Sequence, residues 1–414
     1  MTNKLNFLNS PYALFIWGLA AFFYFYENIL SAPLGIIQPE LFSEQVLNKT
    51  VDLDLITTYF YLPYALMQIP LGILLDKTSP RFVLSFAYML CALGALISAF
   101  SWAPMTFIIS RFITGLGCSA AALCALKIAS TWFTKNHHAF LTGLLLTLGT
   151  LGFIFDKSLF ESIVNLITWR ASFIALSGIG FGLGIVSIIS IRKSPDEQNN
   201  TQPLSSYFNQ LKHVMTQPMT YSIAFYGMLV FTPYLLFIVN YGSMIIDHQV
   251  SYISQSASQI NVLKSQLNLM LPLGFLFGSP ILGWYSDHIG SRVAVLRLSS
   301  MSLIPVLLLL SFVQLEHHFF GFALFAWGFL TGGFLPSFSL MKEINPSHIA
   351  GTSMGVMNMF NMILAFIFPL LIHFVQFKLS DANHISSYLL IMASMVLIAY
   401  LLTWLMSDRP FESE

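Results

Sequence analysis

Charged residues are scarce in this sequence. Asp, Glu, Lys and Arg together make up 9% of its 414 residues, whereas hydrophobic residues make up 56%. A soluble domain carries about 25% charged residues, so this composition excludes an ordinary soluble protein and indicates a chain that crosses a membrane several times. The formal net charge is +0, which argues neither for nor against a nucleic-acid partner, and we expect none.

Cysteine is also rare. Cys91, Cys118 and Cys124 all lie in apolar runs, so they form neither a disulfide framework nor a metal-ligand spacing. We interpret them as small residues that pack between helices. Two pairs of adjacent histidines supply too few ligands for a metal site. The sequence also contains no nucleophile–base constellation, so we expect no metal, no cofactor and no enzymatic activity.

Long apolar runs are plentiful, and a membrane helix needs about 20 such residues. The sequence contains twelve runs of that kind. The first six lie near 11–37, 53–75, 81–101, 104–132, 138–164 and 170–191. The second six lie near 220–246, 263–286, 292–315, 318–341, 349–376 and 385–406. The first run is longer than the core of a signal peptide and contains Glu27, so we predict a membrane helix there.

A polar interruption divides the runs into two sets of six. The predicted parts are an N-terminal six-helix half at 1–191, a cytoplasmic linker at 192–219 and a C-terminal six-helix half at 220–414. Lys and Arg residues favour the cytoplasmic side of membrane proteins. Eleven Lys and Arg residues lie on the side of the membrane that carries both termini, and four lie on the opposite side. We therefore expect both termini to be cytoplasmic.

A short loop pattern occurs in both halves. The segments "LGILLDKTSPRF" and "LGWYSDHIGSRV" share a Gly, an Asp four residues later and an Arg five residues after the Asp. These residues are Gly72, Asp76 and Arg81 in the first half, and Gly283, Asp287 and Arg292 in the second. A twofold repeat of six helices is the architecture of one large class of transporters.

The doubled loop resembles the signature loop of the major facilitator superfamily. "RFITGLG", which contains Arg111, and "WRASF", which contains Arg170, are also similar to segments of that family. The resemblance implies an all-α membrane protein with twelve transmembrane helices in two six-helix repeats around a central cavity. It further implies transport by alternating access, a monomer, and a place in the bacterial inner (plasma) membrane.

We interpret the doubled loop as a conformational latch. Each Asp can accept hydrogen bonds from backbone N–H groups at the start of a neighbouring helix, and it can pair with the loop Arg. Such contacts would hold the two halves closed on the inside. Simple anchoring by positive charge would explain Arg81 and Arg292, but it would not explain the repeated spacing of Asp and Gly.

Five ionisable residues lie within predicted spans of the first half, where each buried charge costs at least about 2.5–3.5 kcal/mol. They are Glu27, Arg111, Lys127, Asp156 and Lys157. The second half offers neutral groups instead, including Tyr241, Asn358 and Asn361. With Tyr24, these residues form the predicted set for substrate binding or proton coupling.

The resemblance places the first, fourth and fifth helices around the cavity. Asp156 shares a helix face with Gly149 and Gly152, where a neighbouring helix can come close, and we expect it to reach Arg111 there. Several alternatives stay open. Glu27 and Asp156 can be static ion-pair members, Lys127 can extend toward a membrane surface, and Tyr24 can be a packing residue.

The cations within the first half favour proton-coupled uptake of a small polar solute that bears a carboxylate. Candidate solutes are an amino acid, a short peptide, or a polycarboxylate including a siderophore. The fifth helix lacks the Gly-Pro pattern that proton-driven drug exporters of this family often carry. The main alternative is proton-coupled efflux of an amphipathic compound or siderophore. A third interpretation is a membrane-embedded enzyme or receptor, but the sequence shows no extramembrane domain, no nucleophile–base constellation and no metal-ligand set to support it.

Overall fold

The structure is a computed structural model, and its backbone divides into two compact units. It describes residues 11–31, 37–47, 56, 58–133, 138–192, 204–250, 257–345, 350–376 and 384–408. The units are Met1–Gln210 and Leu211–Glu414. The division falls within the stretch 192–219 that the sequence predicts to be a linker.

Helices account for nearly all of the described residues. Unit 1 contains α1 (Pro11–Leu30), α2 (Gln38–Ser43), α3 (Tyr61–Lys77), α4 (Pro80–Ala99), α5 (Pro104–Cys118), α6 (Ala121–Trp132), α7 (His138–Ile167) and α8 (Trp169–Ser190). Helix α9 (Leu204–Thr216) spans the division. Unit 2 contains α10 (Pro218–Leu236), α11 (Gly242–Val250), α12 (Ala257–Ile289), α13 (Arg292–Phe312), α14 (His317–Thr331), α15 (Pro336–Glu343), α16 (Ala350–Gln376) and α17 (His384–Leu402).

Most of these helices can cross a membrane. Among the described residues, ten helical stretches are long and apolar enough to do so. Helices α3 and α7 bring the long segments to six in each unit. This agrees with the predicted all-α membrane fold of two six-helix sets.

Several predicted boundaries differ from the structure, among them the end of α1 and the start of α12. Helix α1 ends at Leu30 rather than near residue 37, and the sequence places Pro33 shortly afterwards. A proline lacks the backbone N–H that would continue a helix, and it disfavours the helical conformation of the residue before it. Helix α12 begins at Ala257 rather than near residue 263. A count of apolar residues misses this segment because half of the side chains at 257–262 are polar.

The internal repeat extends to helix packing. In each unit the first long helix packs on the fifth, as α1 on α7 and α10 on α16. The second packs on the fourth, as α3 on α5 and α12 on α14. The third packs on the sixth, as α4 on α8 and α13 on α17. The same three pairings therefore build both units, which supports the repeat independently of the two loops.

Glycines let α12 and α14 approach until their backbones touch. A Cβ atom at Gly274 would lie 2.0 Å from the carbonyl oxygen of Phe325. A Cβ atom at Gly328 would lie 1.9 Å from the carbonyl oxygen of Leu271. Small residues spaced four apart are typical of such close helix pairs in membranes, where packing rather than hydrophobic burial holds helices together.

We predict that Gly328→Leu destabilises the protein. The neighbouring atom is backbone and cannot move aside, so overpacking should cost about 1–3 kcal/mol or more. The measurement is the apparent Tm of purified protein in detergent, with its monodisperse yield. Gly283→Leu on α12 is the matched control, because a Cβ atom there has nothing within 4 Å. An equal Tm for Gly328→Leu and the parent protein would contradict this prediction.

Candidate functional site

Within the part of the chain that the structure describes, three long helices depart from regular α geometry near their middle. In unit 1, the fourth helix breaks at Ser119–Ala120, between α5 and α6. In unit 2, Phe237–Tyr241 form a π-helical turn between α10 and α11, and Gly332–Phe334 form a 3₁₀ turn between α14 and α15. Such irregular turns free backbone groups and frequently occur at ligand sites. The Gly332–Gly333 pair signals one break, whereas nothing in the sequence analysis indicated the π turn.

Glu27 lies buried near the end of α1, with a relative exposure of 6%. The Tyr64 hydroxyl of α3 donates a hydrogen bond to its carboxylate. The other carboxylate oxygen, Oε2, has no partner among the described residues. A buried charge with an unpaired oxygen is costly. The open oxygen can therefore take a proton or a hydrogen bond from a ligand.

Arg111 of α5 is buried and contacts the same end of α1. Its Nη1 donates a hydrogen bond of 2.6 Å to the carbonyl oxygen of Leu30, the last residue of that helix. The last carbonyls of a helix have no partner within the helix, and a cation there is favoured by the helix dipole. Glu27 precedes Leu30 by three residues, which is about 4.5 Å along the axis. The structure thus brings Glu27 and Arg111 to one end of α1.

Helix α7 packs closely along this part of α1. A Cβ atom at Gly149 would lie 2.0 Å from Cε1 of Tyr24. A Cβ atom at Gly152 would lie 2.8 Å from Cβ of Asn28. The Asn28 side-chain amide donates to the carbonyl oxygens of Tyr24 (2.7 Å) and Gly149 (3.2 Å). The helix that approaches these glycines is therefore α1, and Tyr24 packs on Gly149 one turn before Asn28.

The side chains of Asp156 and Lys157 lie outside the described residues, as does that of Glu161. The backbone places Asp156 one helical turn beyond Gly152 on α7. The predicted contact between Asp156 and Arg111 therefore stays a prediction.

Lys127 is set apart from this group. It lies on α6, half-buried, and its carbonyl accepts a hydrogen bond of 3.0 Å from the Thr131 hydroxyl. It follows Arg111 by 16 residues, which corresponds to roughly 24 Å along the helix axis. The structure does not bring Lys127 to Glu27 and Arg111.

The predicted residues of unit 2 occupy two different levels. Tyr241 is buried and stacks on Tyr388, with ring centroids 4.9 Å apart. Asn361 of α16 is buried against Gly227, where a Cβ atom would lie 2.9 Å from Asn361 Oδ1. That oxygen has no donor among the described residues. Gly227 precedes Tyr241 by 14 residues, or roughly 21 Å of helix.

Asn358 is half-buried on α16 and precedes Asn361 by about one turn. The neutral residues predicted in unit 2 (Tyr241, Asn358 and Asn361) therefore do not form one cluster. Asn358 and Asn361 share a level on α16, whereas Tyr241 lies at the π turn.

Sequence analysis missed two residues, Tyr64 and Trp327. In the sequence, Tyr64 is one of several aromatic residues in an apolar helix and nothing distinguishes it, although its hydroxyl binds Glu27. Trp327 lies on α14, and its buried indole N–H has no acceptor among the described residues. The Phe237 ring contacts it edge-on with centroids 5.2 Å apart. This contact joins the π turn to the helix that ends in the 3₁₀ turn.

The repeated loop of unit 2 forms an ion-pair network. Arg292 pairs with Asp287, and its Nε donates a hydrogen bond of 3.2 Å to Glu343 at the end of α15. The backbone N–H of Val293 at the start of α13 donates to Asp408 over 2.9 Å. The loop Asp therefore pairs with the loop Arg, as expected. Asp408, rather than Asp287, accepts from the helix start.

The corresponding loop of unit 1 is described in part. The side chain of Asp76 lies outside the described residues, and Gly72 is buried within α3. The Arg81 guanidinium lies over the Phe82 ring, 5.3 Å from its centroid. Gly283 in unit 2 has open space where a side chain would lie. The latch role of these loops stays a prediction.

Known proteins resemble this chain along most of its length. The family model of the Major Facilitator Superfamily matches residues 12–369. The "Probable galactarate/D-glucarate transporter GarP" of Escherichia coli K12 is 22% identical over 421 residues, which cover 89% of each chain. The "Probable sulfoacetate transporter SauU" of Cupriavidus necator is 26% identical over 184 residues, or 44% of this chain and 43% of that protein. That match therefore spans less than half of the relative's length.

A solved structure shares the fold. The Escherichia coli fucose:proton symporter FucP superposes with a TM-score of 0.66 at 16% identity, covering 96% of this chain and 100% of that one. Its likeness supports the arrangement of helices and carries no conclusion about the solute. Because the family model extends over most of the described helices, the protein is a multi-pass membrane protein that belongs to the Major Facilitator Superfamily, a family of transporters rather than enzymes.

Proposed function

We propose that the protein imports a small organic acid together with protons. The observation that carries this proposal is the meeting of Glu27 and Arg111, both buried, at one end of α1. A carboxylate and a guanidinium at one helix end can handle a proton and an anion side by side. Two features beyond the site support the proposal, namely the charge balance of the first half and the solutes named for two relatives.

Arg111 is suited to the anion. A guanidinium presents a planar fork of donors that can hold a carboxylate through two parallel hydrogen bonds. One nitrogen already donates to the carbonyl of Leu30, which fixes the direction of the side chain. The five ionisable residues predicted within the spans of the first half comprise three cations and two carboxylates. This excess of one positive charge depends on Lys127, so it favours an anionic solute for the first half as a whole rather than for the end of α1 alone.

Glu27 is suited to the proton. Its Oε2 atom is open, so protonation there would disrupt no hydrogen bond among the described residues. A bound anion disfavours a second negative charge nearby, so solute binding favours proton uptake by Glu27. The reverse also holds, because coupling between two ligands is reciprocal. Proton and anion would then bind and leave together as the protein alternates between its two open states.

The relatives' names support the chemical class. One relative is named for sulfoacetate and another for galactarate and D-glucarate, all of which are small organic acids with two acidic groups. Sugar acids and related polycarboxylates therefore become the first solutes to test, ahead of amino acids and peptides. We retain the inner (plasma) membrane of a bacterium, cytoplasmic termini and a monomer as parts of the proposal.

We predict that Arg111→Gln reduces uptake of an accepted organic acid by about 10-fold or more, because a hydrogen bond to a charged group contributes about 1.5–3 kcal/mol. The measurement is uptake of radiolabelled galactarate, D-glucarate and sulfoacetate into proteoliposomes. Arg297→Gln is the matched control, since that guanidinium binds the Thr403 carbonyl and lies over the Trp404 ring. Uptake by Arg111→Gln at the parent rate would refute the anion-binding role.

We predict that Glu27→Gln separates solute binding from proton transport. The variant should exchange solute across the membrane while losing internal acidification, because an amide cannot carry the proton. The measurement combines a pH-sensitive dye inside liposomes with counterflow of labelled solute. Glu316→Gln is the matched control, because Glu316 is exposed at the start of α14.

Two results would count against import with protons. One is acidification by Glu27→Gln at the parent rate. The other is that none of the tested organic acids causes the parent protein to acidify the liposome interior, whereas liposomes loaded with an amphipathic cation become alkaline. The second result would favour the alternative, proton-coupled efflux.

A further inference from the structure

A two-residue turn joins α12 to α13 in unit 2. Gly290 in this turn has φ 66°, a left-handed conformation that favours glycine. Ser291 follows it and precedes α13, and its hydroxyl oxygen accepts a hydrogen bond of 3.1 Å from the backbone N–H of Ala294. This cap satisfies one of the backbone donors that the first turn of a helix leaves open. The N–H of Val293 needs a second acceptor.

That acceptor is Asp408, in the segment that follows α17. Its Oδ1 accepts from the Val293 N–H over 2.9 Å, and the Ser291 hydroxyl donates to its Oδ2. The segment is itself fixed two residues earlier by Met406, which is buried in the hydrophobic core of unit 2. One carboxylate therefore binds the residues on both sides of Arg292.

Arg292 in turn joins two other helix ends. Its guanidinium pairs with Asp287 in the last turn of α12, and its Nε donates a hydrogen bond of 3.2 Å to Glu343, the last residue of α15. Its Nη1 also donates to the Ser286 hydroxyl over 3.2 Å. Ordering a long side chain on three partners costs conformational entropy, and less freedom is left to lose where the backbone is already held.

The two carboxylates make the position of this guanidinium important. The side chains of Asp287 and Glu343 are 58% and 41% exposed, so each ion pair alone would stabilise little. Both bind the same planar group, whose rigid fork of donors fixes their geometry. If the guanidinium moved away, two like charges would lie near each other without a cation between them.

We propose that Asp408 is a positioning residue for this network. By holding Ser291 and Val293, it sets the direction of Arg292, and it thereby ties the segment after α17 to the ends of α12 and α15 as well as to the start of α13. A distant part of the sequence thus supplies the helix-start contact that was expected of the loop Asp. Release of Asp408 would loosen three helix ends at once. The network is the same whichever solute the protein carries.

The test is hydrogen–deuterium exchange, followed by mass spectrometry, on the purified full chain in detergent. Two fragments are compared, 289–297 at the start of α13 and 338–345 at the end of α15. In Asp408→Ala, we expect amide exchange in the first turn of α13 to rise about tenfold, because a cap is lost. We expect exchange at the end of α15 to rise about twofold or more, because Arg292 no longer holds Glu343.

Two further variants separate positioning from capping. Arg292→Gln should raise exchange at the end of α15 by the same factor as Asp408→Ala. The double variant should show no further rise there, because both changes break one route. Glu316→Ala is the matched control, since Glu316 precedes α14 but its side chain makes no hydrogen bond to the start of that helix. Both fragments should keep the parent exchange rates in this control.

A rise confined to the start of α13 in Asp408→Ala would overturn the proposal, since Asp408 would then only cap that helix. Additive rises in the double variant, or an equal rise throughout unit 2, would also overturn it. If Asp408→Ala does not fold, Asp408→Asn is judged by the same outcomes with smaller rises, because it keeps one acceptor oxygen and loses the charge. A rise in both fragments that is absent from Glu316→Ala supports the proposal.

Discussion

The contact between Arg111 and the Leu30 carbonyl is the constraint on which the rest of the candidate site depends. A helix that ends within an apolar environment leaves carbonyl groups that water cannot reach, and each unsatisfied group is costly there. Arg111 satisfies one of them and places a cation at the negative end of the helix dipole. Because the side chain must point to this carbonyl, the fourth helix of unit 1 is fixed against the first, and a positive charge stays within about one turn of Glu27.

The two units share their helix pairings but differ in chemistry. In both, the first helix packs on the fifth, the second on the fourth and the third on the sixth. Unit 1 places a carboxylate and a guanidinium at the end of its first helix, whereas the corresponding helix of unit 2 carries a π turn beside Trp327. The proposed transport of an organic acid would use this asymmetry, because a charged solute must be neutralised somewhere and a neutral surface suits the rest of it. The shared scaffold lets one half specialise without changing the packing.

Much of the fold could be predicted from sequence, because the length of an apolar run and the position of a repeated loop depend on local composition. The pairing of Asp287 with Arg292 followed from their spacing. The candidate site was less predictable. Arg111 binds a backbone carbonyl, which no side-chain pattern reveals. Lys127 and Tyr241 lie far from the other residues predicted for substrate binding or proton coupling. A run of apolar residues shows neither where a helix breaks nor which of its faces packs against a neighbour.

Two arginines of unit 1, Arg111 and Arg170, lie in different surroundings, and the surroundings explain their different contacts. Arg111 is buried, where charge interacts strongly, so its hydrogen bond to the Leu30 carbonyl and the helix dipole stabilise it more than they would at the surface. Arg170 is partly exposed, where solvent weakens charge, so it is held by two indole rings, a carboxylate and two carbonyls together. Contacts of the second kind can break when water or a neighbouring segment competes for them. The two arginines thus show the same guanidinium chemistry in two environments, the buried end of α1 and the partly exposed start of α8.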